Sequence, residues 1–151
     1  MNDAAASRQY EGRCHCGALR FTYTTSKAPS AWAVRECQCS FCRAHGARTT
    51  ADPGGEVRFR FAAPAKLRRY RFGTARTDFL VCSECGVYVG ALLATDRGHF
   101  ATLNVNTMGG VADLPSAQPV SYDGESVEQR IARRETRWTP VIAVEEKEED
   151  L

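Results

Sequence analysis

The sequence predicts a mainly β fold with short helices, and three observations lead to that prediction. Short segments alternate apolar and polar residues, as strands with one buried face do. Glycine and proline separate these segments at short intervals, which is typical of an all-β body. Seven cysteines fall in three tight clusters far apart in the chain, so a shared metal ion would fasten distant strands to one another.

The predicted strands follow one another along the folded body. In segment 19–23, the residues Leu-Arg-Phe-Thr-Tyr alternate strictly between apolar and polar. The other predicted strands are 57–61, 70–72, 77–81, 87–93 and 100–105. Pro64 breaks the chain after the second strand, Gly73 joins the third to the fourth, and a turn near 96–98 separates the last two.

Two helices are expected besides the strands. A short one follows Cys39, and a longer one spans about 125–136, where Val127 and Ile131 share a face. Residues 1–9 are expected to form a disordered lead-in, and residues 10–122 the metal-binding domain. Residues 123–151 are expected to form the C-terminal helix and an acidic tail, solvated from Glu145 to Leu151.

Composition narrows the class of protein. The 151 residues have the length of one domain, and hydrophobic residues make up 43% of them. The formal net charge is only +2, so a nucleic-acid partner is not expected despite the basic run 66–71. No apolar run approaches the roughly 20 residues that cross a bilayer, and residues 1–8 lack the apolar stretch of a secretory signal. We therefore expect a cytoplasmic protein without membrane contact, whose oligomeric state the sequence does not indicate.

The cysteine clusters have the spacing of metal ligands. They are a C-x-C, a C-x-C-x-x-C and a C-x-x-C, formed by Cys14 and Cys16, by Cys37, Cys39 and Cys42, and by Cys82 and Cys85. In a reducing compartment such clusters bind metal more often than they form disulfides, and an odd total does not close a disulfide framework. Zinc takes four ligands in a structural site, and three plus an open position in a catalytic one.

A division into four and three uses every cysteine. The C-x-C and the C-x-x-C are two-ligand knuckles that together make a complete four-thiolate site. Cys37, Cys39 and Cys42 then remain as three ligands in one loop, with the fourth position free. The sequence thus predicts two zinc ions per chain. Buried free cysteines, disulfides, a redox pair at Cys82 and Cys85, and an iron–sulfur cluster are the other interpretations.

The order of these motifs resembles the glutathione-dependent formaldehyde-activating enzyme family, which includes the domain of centromere protein V. The matching segments are GRCHCG at 12–17, CQCSFCR at 37–43, Gly46 with Ala47, and CSECG at 82–86. Segment 102–107 resembles the strand that closes the family's domain. The resemblance covers about 10–108, and residues 112–151 have no counterpart in it.

The resemblance implies a zinc-pinned β-tent domain with one structural and one catalytic zinc. By position, Cys14, Cys16, Cys82 and Cys85 correspond to the structural site, and Cys37, Cys39 and Cys42 to the catalytic site. The implied activity is that of a carbon–sulfur lyase, which condenses formaldehyde with glutathione to S-hydroxymethylglutathione. A small-molecule thiol and an aldehyde are therefore the expected partners.

The chemistry of a three-thiolate site agrees with a thiol substrate. Three thiolates around Zn²⁺ leave a net charge of −1, so the site is a weak Lewis acid that favours a soft sulfur ligand. His45 is a candidate fourth ligand or proton shuttle, although an exposed loop histidine is the simpler interpretation. Arg43 and Arg48 are the arginines nearest in sequence for the carboxylates of glutathione, and solvated surface residues are again simpler. His15 is expected to point outward.

Two functions of other classes compete with the enzyme. A non-catalytic zinc-binding interaction module would use the basic run 66–71 for its contacts, and its binding would depend on salt. A thiol or metal sensor would release zinc from the open site on oxidation. The three-cysteine set favours the enzyme, because a purely structural module needs no open coordination position.

Overall fold

The computed structural model describes residues 6–146, apart from the side chain of Pro64, and confirms a mainly β fold with two helices. The helices are α1 (Ser40–His45) and α2 (Val127–Arg137). The strands are β1 (Arg8–Arg13), β2 (Leu19–Thr25), β3 (Arg35–Cys37), β4 (Thr49–Thr50), β5 (Glu56–Phe61), β6 (Leu67–Tyr70), β7 (Asp78–Cys82), β8 (Tyr88–Thr95), β9 (Gly98–Asn104), β10 (Gln118–Val120) and β11 (Thr139–Glu146).

Five predicted strands lie close to their expected positions, as β2, β5, β7, β8 and β9. The strand predicted at 70–72, just before Gly73, is displaced. It is β6, which ends at Tyr70 opposite Phe79 of β7, so the strand precedes segment 70–72 and does not fill it. Gly73 has a φ of 61° and Ala75 a φ of 55°. These left-handed residues prevent an extended strand from continuing into the connection.

The sheet has two parts that β11 joins. In the first part β1, β2 and β5 are antiparallel neighbours. In the second, β6 to β9 form an antiparallel meander that continues through β4 and β3 to β10. Strand β11 runs parallel to β5, and its residues Thr139 and Pro140 pair with β9. The last described strand thus connects the two parts of the sheet.

The ends of the described chain correct two expectations. Arg8 and Gln9, expected in a disordered lead-in, belong to β1 and pair with β2. Glu145 and Glu146, expected in a solvated tail, belong to β11, where Glu145 lies 3.0 Å from the guanidinium of Arg58. Backbone pairing with β5 orders these charged residues, while their side chains stay exposed and form ion pairs. The other residues of the expected lead-in and tail, 1–5 and 147–151, lie outside the described part of the chain.

Two clusters of buried residues share strands β7 and β8. Leu80 and Val89 belong to the first cluster, whereas the adjacent Phe79 and Tyr88 belong to the second. Successive side chains of a strand point to opposite faces, so these strands are covered on both sides. This double burial accounts for the nearly continuous apolar sequence of β8. The second cluster also contains Cys42, so its apolar residues pack against one of the cysteine groups.

Candidate metal centres and the adjoining cavity

The first cysteine group joins two strand ends. The Sγ atoms of Cys14, Cys16, Cys82 and Cys85 lie within 4.8 Å of one another. Cys14 follows β1, and Cys82 is the last residue of β7. Because the two pairs are separated by more than sixty residues, a metal ion between them would fasten the two parts of the sheet together.

Backbone N–H groups around this group point at sulfur. The N–H of Leu19 donates to Sγ of Cys14 at 3.2 Å. The turn after Cys82 closes when the N–H of Gly86 donates to the Cys82 carbonyl at 2.8 Å, and the φ of 79° at Gly86 requires a glycine-like conformation. Sulfur that accepts N–H donors is stabilised as thiolate, which is the form that binds metal.

The second cysteine group lies where β3 meets α1. The Sγ atoms of Cys37, Cys39 and Cys42 also lie within 4.8 Å of one another. Cys37 ends β3, which β10 holds in a parallel pair, and Cys39 is the N-cap of α1. Its Sγ accepts the N–H of Cys42 at 3.4 Å. Helix α1 ends at Gly46, whose φ of 58° closes the turn, so both ends of this short ligand loop are fixed.

The sulfur positions fit zinc. A tetrahedron with Zn–S bonds of about 2.3 Å places its sulfur atoms about 3.8 Å apart. In the four-cysteine group, Sγ of Cys16 lies 3.7 Å from that of Cys14 and 3.6 Å from that of Cys82. All seven cysteines are free thiols, so no disulfide competes for them. Both groups can therefore hold a metal ion, and thiolate donors of this kind suit zinc.

The pKa values within each group diverge because the thiols are so close. Hydrogen bonds with Cys37 and then Cys42 lower the pKa of Cys39 to about 2, whereas hydrogen bonds with Cys37 and then Cys39 raise the pKa of Cys42. In the other group, burial is the main cause that raises the pKa of Cys82 to about 12. Burial also opposes ionisation of Cys85, but N–H donors outweigh it and lower that pKa to about 6. Thiols this close oppose one another's ionisation, and a bound cation would remove that opposition.

The three-cysteine group opens into a cavity with a volume of about 180 Å³. Phe72, Phe79, Tyr88 and Trp138 supply apolar walls. Phe79, Tyr88 and Trp138 are each at most 8% exposed, so they keep bulk water from this side of the cysteines. The arrangement combines a soft-metal ligand set with room for a small molecule.

The cavity is strongly basic. Asp123 is the one acidic side chain among the described residues that line it, whereas five arginines do so, namely Arg35 of β3 and Arg130, Arg133, Arg134 and Arg137 of α2. None of these arginines was expected as a site residue from the sequence. The i, i+3, i+4, i+7 spacing of the four arginines of α2 places them on one helix face, and this is the signal that could have found them.

Other candidate residues lie away from the cavity. Arg43 and Arg48 do not line it, and Nε of Arg48 donates to Oδ1 of Asn106 at 2.8 Å. His45 is exposed and outside the metal-ligand groups, with its ring centroid 4.5 Å from that of Phe41. His15 is exposed in the turn between two cysteines and belongs to neither group. The exposed positions of His15, Arg43 and His45 agree with the simpler interpretation of each, whereas Arg48 is half-buried.

None of the helices in residues 6–146 has the length and apolar character needed to span a bilayer.

Two comparisons with known proteins support a family assignment. A crystal structure of a Rhodobacter sphaeroides protein, a structural-genomics target, is similar with a TM-score of 0.57 and 29% sequence identity. The similarity covers 73% of this chain and 99% of that one. Residues 9–122, which contain both cysteine groups, match the family model described as glutathione-dependent formaldehyde-activating enzyme. The match therefore includes segment 112–122, for which no counterpart was expected. By this match over most of its length, the chain belongs to the glutathione-dependent formaldehyde-activating enzyme family.

Proposed function

We propose that the protein is a zinc-dependent enzyme of the carbon–sulfur lyase type, which joins a thiol such as glutathione to formaldehyde or another small aldehyde. The observation that carries the proposal is the difference between the two cysteine groups. One has four thiols and is complete, whereas the other has three thiols and faces a cavity. Three protein ligands with an open position are the pattern of a catalytic zinc.

The two groups would have different roles. Cys14, Cys16, Cys82 and Cys85 would hold a structural zinc, and Cys37, Cys39 and Cys42 would hold the zinc beside the substrate. Bound there, zinc supplies a positive charge that favours thiolate formation and an open position that accepts sulfur. Two zinc ions per chain follow from this division.

The residues of the cavity would favour the reaction by placement and by charge. Phe79, Tyr88 and Trp138 exclude water beside the cysteines, which strengthens electrostatic interactions there. The arginine face of α2 adds positive potential, which favours an ionised thiol over a neutral one. Holding the thiol and the aldehyde together in this space lowers the entropic part of the barrier.

The bond changes balance without any oxidant. The sulfur lone pair of the thiolate forms the C–S bond, and the π electrons of the carbonyl move to its oxygen. The thiol loses one proton and the new hydroxyl gains one, so the overall addition consumes no proton. The reverse reaction breaks the same C–S bond, as the term lyase requires.

The competing interaction module has less support from the fold. Three of the basic side chains in segment 66–71 are in ion pairs: Lys66 with Glu84 at 2.7 Å, Arg69 with Asp78 at 3.2 Å, and Arg71 also with Asp78. Charges that are already paired attract phosphate less strongly.

Two-dimensional exchange NMR tests the proposal directly. Glutathione and formaldehyde react spontaneously, so exchange with S-hydroxymethylglutathione is measured with the zinc-loaded protein and with the Cys42→Ser variant at equal concentration. We expect faster exchange with the wild type only, because the variant lacks one ligand of the three-cysteine set. Equal exchange in both samples, with two zinc ions bound to the variant, would reject the proposed role of Cys42.

A further inference from the structure

Helix α2 lies beyond the family match, which ends at residue 122, and yet it forms one wall of the cavity. Four of its eleven residues are arginines on a single face, the face that lines the cavity. In a helix that packs on a protein body this face is normally apolar. We therefore expect the basic face of α2 to contact a negatively charged group.

Two of these arginines have such a partner within the protein. The carboxylate of Glu125 contacts Nε of Arg133 at 2.9 Å and Nε of Arg130 at 3.5 Å. The guanidinium of Arg133 also lies 3.4 Å from the centroid of the Tyr122 ring. These contacts hold the two arginines at the cavity wall and neutralise part of their charge.

Arg134 differs from both. Its Nη1 donates to the hydroxyl of Thr77, and its guanidinium lies 4.8 Å from the centroid of the Trp138 ring. It has no carboxylate partner among residues 6–146, and its Nε is buried without a hydrogen-bond acceptor. Burial first, and then the charges of Arg133 and Arg130, lower its pKa to about 10. A buried cation is unfavourable unless an anion forms an ion pair with it.

We propose that Arg134, positioned by Thr77, is the centre of an anion subsite in the three-cysteine cavity, and that it binds a carboxylate of the thiol substrate. This inference rests on the proposed function, because the thiol group would occupy the cysteine end of the same cavity. A guanidinium presents a fixed set of N–H donors that matches a carboxylate. The subsite would thus make a thiol that carries a carboxylate the preferred substrate.

Charge balance is the competing explanation for Arg134. Three thiolates and one Zn²⁺ would leave a net charge of −1, and ionised Cys37 favours the charged form of Arg134. If charge balance were the whole role of Arg134, its removal would weaken every thiol to a similar degree. If Arg134 binds the substrate carboxylate, its removal weakens only thiols that carry one.

A matched pair of thiols separates the two explanations. Binding of 3-mercaptopropionate and of 3-mercaptopropionamide to the zinc-loaded protein is measured by calorimetry, since the two have nearly the same shape and differ in charge. We expect the wild type to bind the acid about tenfold to a hundredfold more tightly, which is the range for a charge-assisted hydrogen bond. In Arg134→Gln this preference disappears, while the affinity for the amide is retained. Arg134→Lys keeps part of the preference for the acid. Lysine retains the positive charge but lacks the planar set of N–H donors that can bind both carboxylate oxygens.

Arg43→Gln is the matched control. Arg43 is adjacent to Cys42 in sequence but does not line the cavity, so its variant should retain the full preference for the acid. Equal binding of the two thiols by the wild type would overturn the inference, and this result needs no variant to fold. An equal loss of both thiols in Arg134→Gln would overturn it in favour of charge balance.

The outcomes also separate this inference from the proposed function. A preference for the acid in a protein that does not accelerate the aldehyde exchange would support the anion subsite and reject the lyase. Accelerated exchange with equal affinity for the acid and the amide would support the lyase and reject the subsite.

Discussion

The backbone N–H of Asp52 donates to Oγ1 of Thr139 at 2.9 Å, and both residues are buried. Thr139 is the first residue of β11, and Asp52 lies in the connection between β4 and β5. One side-chain hydroxyl thus anchors the strand that joins the two parts of the sheet. The same strand follows directly after Trp138, so this anchor also fixes the end of the cavity wall.

Replacing Thr139 by valine removes the acceptor and keeps the shape of the side chain. The N–H of Asp52 then remains buried without a partner, and we expect the free energy of unfolding to fall by about 1–3 kcal/mol. Urea denaturation of the zinc-loaded protein measures the change. Thr136→Val is the control, because Thr136 is exposed and bonds only within α2, to the carbonyl of Ala132. Similar losses in both variants would contradict the importance of the anchor.

Asp52 gives the fold a dependence on acid pH. Burial opposes ionisation of its carboxyl, but the Thr25 hydroxyl, the Gly54 N–H and Lys27 outweigh burial and lower its pKa below 3.8. A lowered pKa in the folded state stabilises the protein above the unfolded value, and this stabilisation is lost as the pH falls through the folded value.

The variant Asp52→Asn isolates this contribution. We expect Asp52→Asn to be less stable than the wild type at pH 7, and the difference to shrink as the pH falls below about 3.8. Urea denaturation at pH 7 and pH 3 measures the free energy of unfolding of both proteins. Both lose zinc in acid, so this loss cancels when the two are compared at the same pH. A difference that is the same at the two pH values would show that the Asp52 charge does not contribute.

The two cysteine groups should respond differently to the loss of one ligand. We expect Cys82→Ser to lose one zinc ion and much of its stability, because its group links β1 to β7. Cys42→Ser should also lose one zinc ion but remain folded, because its three ligands lie within one short segment. Metal analysis combined with thermal unfolding measures both properties. Two retained zinc ions, or an equally stable Cys82→Ser, would contradict the assignment of the structural site.

Gly90 is required by a close approach between β8 and β9. A Cβ atom at this position would lie 2.6 Å from the carbonyl oxygen of Thr102, so Gly90→Ala forces the strands apart. We expect a loss of about 1–3 kcal/mol in the free energy of unfolding, as for other overpacked sites. Gly109→Ala is the control, since a Cβ there meets no atom within 4 Å. Gly90→Ala with unchanged stability would show that the sheet adjusts without cost.

The sequence predicts those elements whose pattern is local. The alternation in β2 and β5 and the apolar run of β8 predict these strands because each residue type follows its burial. Strands β3, β4 and β10 have only two or three residues, too few for a period to appear. Their pairing depends on partners far away in the chain. The grouping of the cysteines was expected from their spacing, and the structure places the same residues together.

The role of the arginine face of α2 cannot be predicted from the sequence alone. Its spacing is visible in the sequence, but a charged helix face is normally solvated, and only the packing of α2 against the cavity reveals another role. Strand β11 was missed for a similar reason. Its acidic end resembles a solvated tail, and the arginines of β5 and β6 that pair with Glu145 and Glu146 are distant in sequence.

The joining of both parts of the sheet by β11 has a consequence for biosynthesis. While the ribosome still holds residues 123–146, the nascent chain contains all seven cysteines but lacks α2 and the strand between β5 and β9. Metal capture can therefore precede completion of the sheet, whereas the basic wall of the cavity forms only after segment 123–146 has left the ribosome. Pairing β11 with β5, more than eighty residues earlier, is a non-local step of the kind that slows folding. Until that step, the cavity beside the three cysteines lacks the wall that α2 forms.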